Sequence, residues 1–451
     1  MPRRNYLFIL AMAVASLACY SATDHNRYGR YFSEVMNKID QYYVTPVDND
    51  KLFKAAVNGM LQTLDENSKF EDPNEAEQLL SLIDQHFAGV GIELTDDSKT
   101  GPIIVQGTIV GSPAYESDIR AGDRLAKIDD RVVKTDSNGM SDLKLEDATT
   151  LIRGKVGTSV RLELARSGHA ETIQVTLKRT EIKVDSVLGD SRNADDSWNF
   201  HLAAHPEIGY IRIQSFGART AEEMQTALKS IDAGKLKGLV LDLRGDRGGR
   251  LDAAIDVCSL FIPPGETIIT TRGRDGEVQE REVSHGPAIC TDVPMVVLID
   301  AYSASASEIV SACLQDYQRA VICGTRSFGK GTVQRIIPVK GSSILKLTTA
   351  TYWRPNNKNI HRHKDAKDSD EWGVMPDKGF VVKMSEKETE DWLKNRAARD
   401  VVHRSQPPAA ATEHPRPEAP PAIDPQLQRA LDYLEHKPAE AAPPTEKKAA
   451  A

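Results

Sequence analysis

Apolar positions recur at helical spacing from residue 26 to 64. Tyr28, Phe32, Val35, Met36, Ile39 and Tyr43 share one face, and Leu52, Ala56, Val57, Met60, Leu61 and Leu64 another. Pro46 and Asp48 punctuate the two helices, and a third is predicted over about Pro73 to Phe87. From Gly89 to about Lys178 the period changes to two. Val90, Ile92 and Leu94 alternate, as do Val160, Leu162 and Leu164, then Ile173, Val175 and Leu177. One helix, Lys144 to Ile152, interrupts these strands. Between about 181 and 390, strands such as Ile208–Ile213, Leu239–Leu243 and Val296–Ile299 alternate with helices, which predicts an α/β layer arrangement. Thr220 and Glu223 have the spacing of a capping box. Beyond about Arg396 the chain turns to Ala, Pro and Glu, the composition of a disordered tail, with a short helix at Pro425 to His436.

At 451 residues two or three domains are expected, and 40% apolar content is ample for their cores. The boundaries fall at 1–18, 26–88, 89–180, 181–395 and 397–451. The first segment reads as an export signal: Arg3 and Arg4, an apolar stretch from Tyr6 to Ala18, and the small-residue exit Ser16-Leu17-Ala18. It is shorter than the roughly 20 residues of a membrane helix. Cys19 follows directly, so signal cleavage, lipidation of Cys19 and a retained signal-anchor are the three fates to separate. Cys258, Cys290, Cys313 and Cys323 show no metal-type spacing. A net charge of −8 argues against nucleic acid as partner.

The chemistry concentrates in two segments. Ser303-Ala304-Ser305-Ala306-Ser307-Glu308 follows the apolar run Val296–Ile299, and Lys330 lies downstream within Gly329-Lys330-Gly331-Thr332-Val333-Gln334. A serine at a strand end opening a helix, with a lysine on a Gly-flanked segment, is the material of a Ser–Lys nucleophile pair. The lysine acts as a base only when neutral. Moving it from its reference pKa of about 10.4 to near 7 takes about 4 kcal/mol of desolvation, which Phe328 and Val333 are placed to supply. Gly324 to Lys330 also imitates a phosphate-binding G-x-x-x-x-G-K. Gly331 replaces the Ser or Thr that would hold magnesium, and a strand pattern follows where a helix is needed, so nucleotide binding is set aside. Oxyanion donors are offered by the Ala306 N–H and by the turn Asp242-Leu243-Arg244-Gly245-Asp246-Arg247-Gly248-Gly249.

With these motifs the chain resembles the C-terminal processing peptidases, serine proteases with a Ser–Lys dyad and an inserted PDZ domain. The resemblance rests on Leu64–Ser68, Gly89–Ile92, Ser112-Pro113-Ala114, Ala121-Gly122-Asp123, Arg153–Thr158, Ile208–Phe216, Asp242–Gly249, Ser303–Glu308, Ser327–Gln334 and Gly373–Asp377, in the family's order. It implies an α/β, ClpP/crotonase-like protease core with N-terminal helices and an inserted β-rich PDZ domain. It makes Ser305 the nucleophile, Lys330 the general base and Gln334 a helper, with the oxyanion hole at Gly248 and Ala306. It implies that Gly89, Val90, Gly91 and Ile92 hold a substrate's C-terminus, while Arg153 contacts that terminus, signals to the protease core or forms a local salt bridge. Neither cofactor nor metal is implied. The implied partners are proteins with free C-termini, near a membrane if Cys19 or the signal anchors the chain, with a homo-oligomer compatible. The implied location is periplasmic or on the extracytoplasmic side of a bacterial membrane.

Two departures stand out. The family usually has Asn-Pro where this chain has Asp246-Arg247, which predicts a looser or differently shaped oxyanion turn without the proline. The segment Asn356 to Glu371 is long and charged, and His361-x-His363 within it reads as a solvated loop in the absence of a third metal ligand. Glu308 reads as a first-turn acid favoured by the helix dipole. The competing function is a PDZ scaffold with an impaired protease domain, binding C-termini without turnover.

Overall fold

The computed structural model describes residues 27–84, 86–96, 102–133, 142–231, 236–400 and 424–436, together with Met12. Apart from Met12, the expected export signal and Cys19 lie outside the described residues, as do 401–423 and 437–451 of the expected tail. The chain divides into two units, Met1–Pro73 with Arg335–Leu347 and Asn74–Gln334 with Thr348–Ala451.

In the first unit, helices α1 (Arg27–Tyr42) and α2 (Asn49–Gln62) precede strand β1 (Lys69–Glu71), which pairs antiparallel with Ile344–Lys346. Asp48, one of the punctuating residues, caps α2 by accepting the N–H groups of Asp50 and Lys51 at 3.2 and 3.1 Å. An edge-to-face ladder runs from Phe32 through Phe53 to Phe70, with centroids 6.1 and 5.7 Å apart. The amphipathic face of α1 is only partly used, for Tyr28, Val35 and Tyr43 are exposed. Leu64–Ser68 is a turn closed by Asp65, which accepts the N–H of Asn67 at 2.7 Å and of Ser68 at 2.8 Å.

Helix α3 (Pro73–Asp84) stops short of Phe87 because the chain enters strand β2 (His86–Gly89). The β-rich module contains β3 (Ile92–Asp96), β4 (Ile103–Thr108), β5 (Arg124–Ile128), β6 (Arg131–Val132), helix α4 (Leu145–Ile152), β7 (Ser159–Ala165), β8 (Ile173–Lys178) and β9 (Thr180–Lys183). Its sheet runs β3-β4-β5-β7-β8 with β6 on β5, while β2 pairs with β9 at the module's root. The period-two pattern is realised in β7, where Val160, Leu162 and Leu164 are buried in the module's own core.

The remaining elements form the α/β core. They are β10 (Val187–Leu188), β11 (Ser191–Arg192), β12 (Trp198–Asn199), β13 (Ile208–Ile213), α5 (Thr220–Ser230), β14 (Gly238–Asp242), α6 (Leu251–Ser259), β15 (Thr267–Arg272), β16 (Val278–Val283), β17 (Met295–Ile299), α7 (Ala306–Asp316), β18 (Val321–Gly324), β19 (Thr332–Pro338), β20 (Ile344–Trp353), α8 (Glu386–Asp400) and α9 (Pro425–His436). Strands β13, β14, β17 and β18 lie side by side and parallel, with β10 antiparallel at one edge. Every residue of β13, β14 and β17 is buried, as a parallel sheet covered on both faces requires. One face, with Ile211, Leu241, Val297 and Ile299, packs on α5, α6 and α7.

The other face corrects an expectation. The helix expected at Pro425–His436 forms as α9, but not as part of a free tail: Ala430, Leu431 and Leu434 pack with Tyr210, Val240, Val296 and Leu298 and close this face. A Cβ at Gly238 would stand 2.8 Å from a Leu434 methyl, so α9 lies directly on the sheet. The capping box at α5 is also not formed as expected. Thr220 is already the first helical residue, and Glu223 instead accepts the N–H groups of Ser186 and Val187 at 2.7 and 3.2 Å.

Candidate active site

Three loops leave the C-terminal ends of neighbouring parallel strands: Leu243–Gly249 after β14, Asp300–Ser305 after β17 and Thr325–Gly331 after β18. This is the side on which open α/β sheets hold their ligands. The three serines, equivalent in sequence, separate at once. Ser303 is fully buried, its hydroxyl donating to the Leu243 carbonyl at 2.8 Å. Ser307 is equally buried and donates to the Asp246 carbonyl at 3.0 Å. Ser305 is half-buried at the mouth of α7, with φ 55° and ψ −112°. A non-glycine residue in that region costs about 1–3 kcal/mol and is tolerated where surrounding contacts over-determine it.

Those contacts run through Glu308. Its carboxylate is wholly buried and accepts four hydrogen bonds. Oε1 takes the Ser327 hydroxyl at 2.5 Å and the Gly329 N–H at 2.6 Å. Oε2 takes the N–H of Ser305 and the N–H of Lys330, each at 2.8 Å. Two backbone nitrogens sharing one oxygen are separated by no more than twice that distance, so one carboxylate oxygen ties the serine's backbone to the lysine's. Burial raises the Glu308 carboxyl to about 7, opposed by these same hydrogen bonds. Glu308 is therefore more than a first-turn acid.

The turn expected to supply oxyanion donors stands against the serine. Gly248 has φ +94°, and a Cβ there would lie 2.8 Å from the Ser305 Cβ and 2.9 Å from the Ala306 nitrogen. Ala306 opens α7, where its N–H has no intrahelical acceptor. The Gly248 N–H, the other expected donor, is directed to Asp246 Oδ1 at 2.8 Å.

Without the proline, hydrogen bonds hold the turn. Gly245 N–H bonds Asp300 Oδ1 at 3.0 Å, Ala304 N–H bonds the Asp246 carbonyl at 3.0 Å, and Phe216 N–H bonds the Gly248 carbonyl at 3.1 Å. Arg247 itself is exposed. Asp246 is fully buried, which pushes its carboxyl up to about 8. At neutral pH it is mostly the uncharged acid and offers Gly248 a carbonyl oxygen, as an asparagine would.

The lysine segment is shaped by its backing. A Cβ at Gly331 would lie 2.2 Å from the His361 nitrogen, and Arg362 N–H bonds the Gly329 carbonyl at 2.8 Å. The charged 356–371 segment thus braces Gly329–Gly331. Trp372 is covered by the guanidinium groups of Arg326 and Arg362, 3.8 and 4.5 Å from its rings. Phe328, expected to shield Lys330, is 48% exposed, while Val333 packs against the main core. The Gln334 amide donates to Thr332 Oγ1 at 2.7 Å and Thr348 Oγ1 at 3.4 Å, in the strand that continues from the lysine.

In the β-rich module, Gly89, Val90, Gly91 and Ile92 line a cleft of about 1170 Å³ with Thr149, Ile152 and Arg153; Arg244, Gly245, Asp300 and Tyr302 of the core line it too. Gly91 has φ +77°, and a Cβ there would overlap Ser112, whose hydroxyl bonds the Gly91 carbonyl at 3.3 Å. The sequence reading passed over Arg179. This buried guanidinium caps α4 through the carbonyls of Leu151 and Ile152, both at 2.9 Å, and leaves no room for a side chain at Gly154. Also passed over was the ion-pair cluster beneath the turn. Arg244 bridges Asp242 and Asp424, and burial alone would raise the Asp242 carboxyl, but Arg244 holds it below the usual range. Only the Asp at a strand end next to Arg hinted at it.

Comparison with known proteins gives the family. The model of peptidase family S41 matches residues 207–378 and that of the PDZ domain residues 80–165. A carboxy-terminal-processing protease of Bartonella bacilliformis is 34% identical over 413 residues, covering 88% of this chain and 90% of that protein. A carboxyl-terminal-processing protease of Synechocystis sp. is 31% identical over 390 residues, covering 83% and 84%. Among solved structures, the photosystem II D1 C-terminal processing protease is 25% identical over 78% of this chain and 92% of that one, with a TM-score of 0.42. The chain belongs to peptidase family S41 and is a serine-type, carboxy-terminal-processing peptidase that carries a PDZ domain.

Proposed function

We propose that the peptidase cuts exported proteins near their C-termini with Ser305 as nucleophile and Lys330 as general base. The observation that carries this reading is the Glu308 carboxylate, which ties the backbones of both residues to a single oxygen. Neutral Lys330 takes the Ser305 hydroxyl proton as Oγ attacks the scissile carbonyl. The oxyanion is met by the Ala306 N–H and by the Gly248 N–H, which turns from Asp246 toward the developing charge. The resulting ammonium returns its proton to the leaving amine, and Lys330 then activates the water that releases the acyl group from Ser305. Gln334 orders the strand that presents Lys330. A scaffold without turnover is disfavoured because Ser305 and Lys330 are both retained and their backbones share one carboxylate oxygen.

In this reading the loop Gly89–Ile92 takes the substrate's terminal carboxylate, Arg153 reinforces it, and the cleft leads from there to Tyr302 and Gly245 beside the hole. The apolar N-terminal segment delivers the chain to the extracytoplasmic side, as the Arg3–Ala18 pattern supports. The test uses one peptide with a free and with an amidated C-terminus, and the Ser305→Ala enzyme as blank. Loss of charge-assisted hydrogen bonds worth about 1.5–3 kcal/mol lowers kcat/KM for the amide by about 10- to 100-fold. Equal cleavage of both peptides would remove the chain-end role from the PDZ domain.

A further inference from the structure

We propose that the segment Asp424–His436 is a positioning element for catalysis, acting on the oxyanion turn through Asp424 and Arg244. The inference rests on the reading of Gly245–Gly249 as that turn. Arg244 immediately precedes it and is fully enclosed, its side chain 1% exposed. On one side it holds Asp242, at the end of β14, with Nη2 2.6 Å from Oδ2 and Nε 2.9 Å from Oδ1. On the other it holds Asp424 in a two-point pair, Nη1 to Oδ1 at 3.0 Å and Nη2 to Oδ2 at 2.8 Å. Gln426 Oε1 accepts a further Nη1 bond at 3.1 Å, and its amide donates to the Val382 carbonyl at 2.9 Å. Trp392 of α8 lies under the guanidinium, 4.4 Å away.

Asp424 also caps α9, accepting the N–H groups of Gln426 and Leu427 at 3.2 and 3.0 Å. The helix that closes the second face of the sheet therefore begins at the carboxylate that orients Arg244. A buried cation shared between two carboxylates has a strongly preferred place, and loss of one partner lets it move. The first backbone to respond is Gly245–Gly249, whose Gly248 lies against Ser305. A segment about 180 residues downstream thus sets the geometry of the hole.

Asp424→Asn separates the two duties, because asparagine caps a helix as well as aspartate but carries no charge for Arg244. In the full-length enzyme we expect kcat to fall about tenfold with KM within about twofold, measured well below a melting temperature that drops by several degrees because a buried ion pair is broken. A peptide aldehyde, whose adduct places an oxyanion in the hole, should lose affinity by the same factor. Met224→Ala is the control, since it weakens the packing of α5 on the opposite face of the sheet and should lower the melting temperature with kcat kept. Wild-type kcat and aldehyde affinity in Asp424→Asn would overturn the proposal, as would a loss of activity that merely follows a fall in melting temperature. Residual cleavage by Ser305→Ala would instead overturn the catalytic reading on which it rests.

Discussion

Lys330→Ala lowers kcat by on the order of 10⁴-fold while leaving the fold in place. The two halves of that expectation come from different atoms. In the proposed mechanism the chemistry needs the amine, which takes the Ser305 proton. The fold needs the backbone N–H, which still donates to Glu308 when the side chain is gone. Lys330→Arg should be just as inactive, because a guanidinium is not deprotonated at accessible pH. The measurement is steady-state cleavage of a tagged peptide beside thermal melting of the same preparations. Cleavage by Lys330→Ala within tenfold of wild type would remove the lysine from the role of base.

Glu308→Gln has the second largest expected effect, about 10²-fold in kcat together with a fall of several degrees in melting temperature. The carboxylate faces three N–H donors and one hydroxyl. A glutamine presents an NH₂ group to half of them, leaving buried donors opposed and unpaired. The pH dependence carries a sign that tests the assignment. The folded carboxyl titrates near 7, above its ordinary value of 4.5. Its contribution to stability is therefore fully present below about pH 4.5 and is lost as pH rises through 7. Activity runs the other way, since only the ionised form accepts all four donors and holds Ser305 beside Lys330. The melting temperature of wild type minus that of Glu308→Gln should decline from pH 5 to 8, while wild-type kcat rises over the same range. A difference that grows with pH would contradict the burial argument.

Locally determined features were legible before any coordinates. The alternation in Val160–Leu164 and the helix ended by Arg153 follow from neighbouring residues, and so does the break between the first two helices at Pro46 and Asp48. Non-local features were not. Leu431 and Leu434 have visible helical spacing, but their partner is the second face of a sheet built from residues 208–324, so composition alone suggested a tail. The same holds for Asp246. Its letter implies a charge, but full burial makes it an uncharged acceptor for Gly248. Phe328 fails in the reverse sense, an aromatic neighbour that faces outward. In the serine cluster, sequence alone left three equivalent hydroxyls, and resemblance chose Ser305. The structure separates them, since Ser303 and Ser307 are buried and bonded to the backbone of the opposite turn, while Ser305 is half-buried.

The central claim is that Ser305, activated by Lys330, is the group that attacks. Its most direct test is covalent labelling with a fluorophosphonate followed by mass mapping of the peptide containing residues 303–307. The account predicts one added phosphonyl group, located on Ser305, formed in the wild-type enzyme and not in Lys330→Ala. Label on Ser303 or Ser307, or equal labelling of Lys330→Ala, would contradict it.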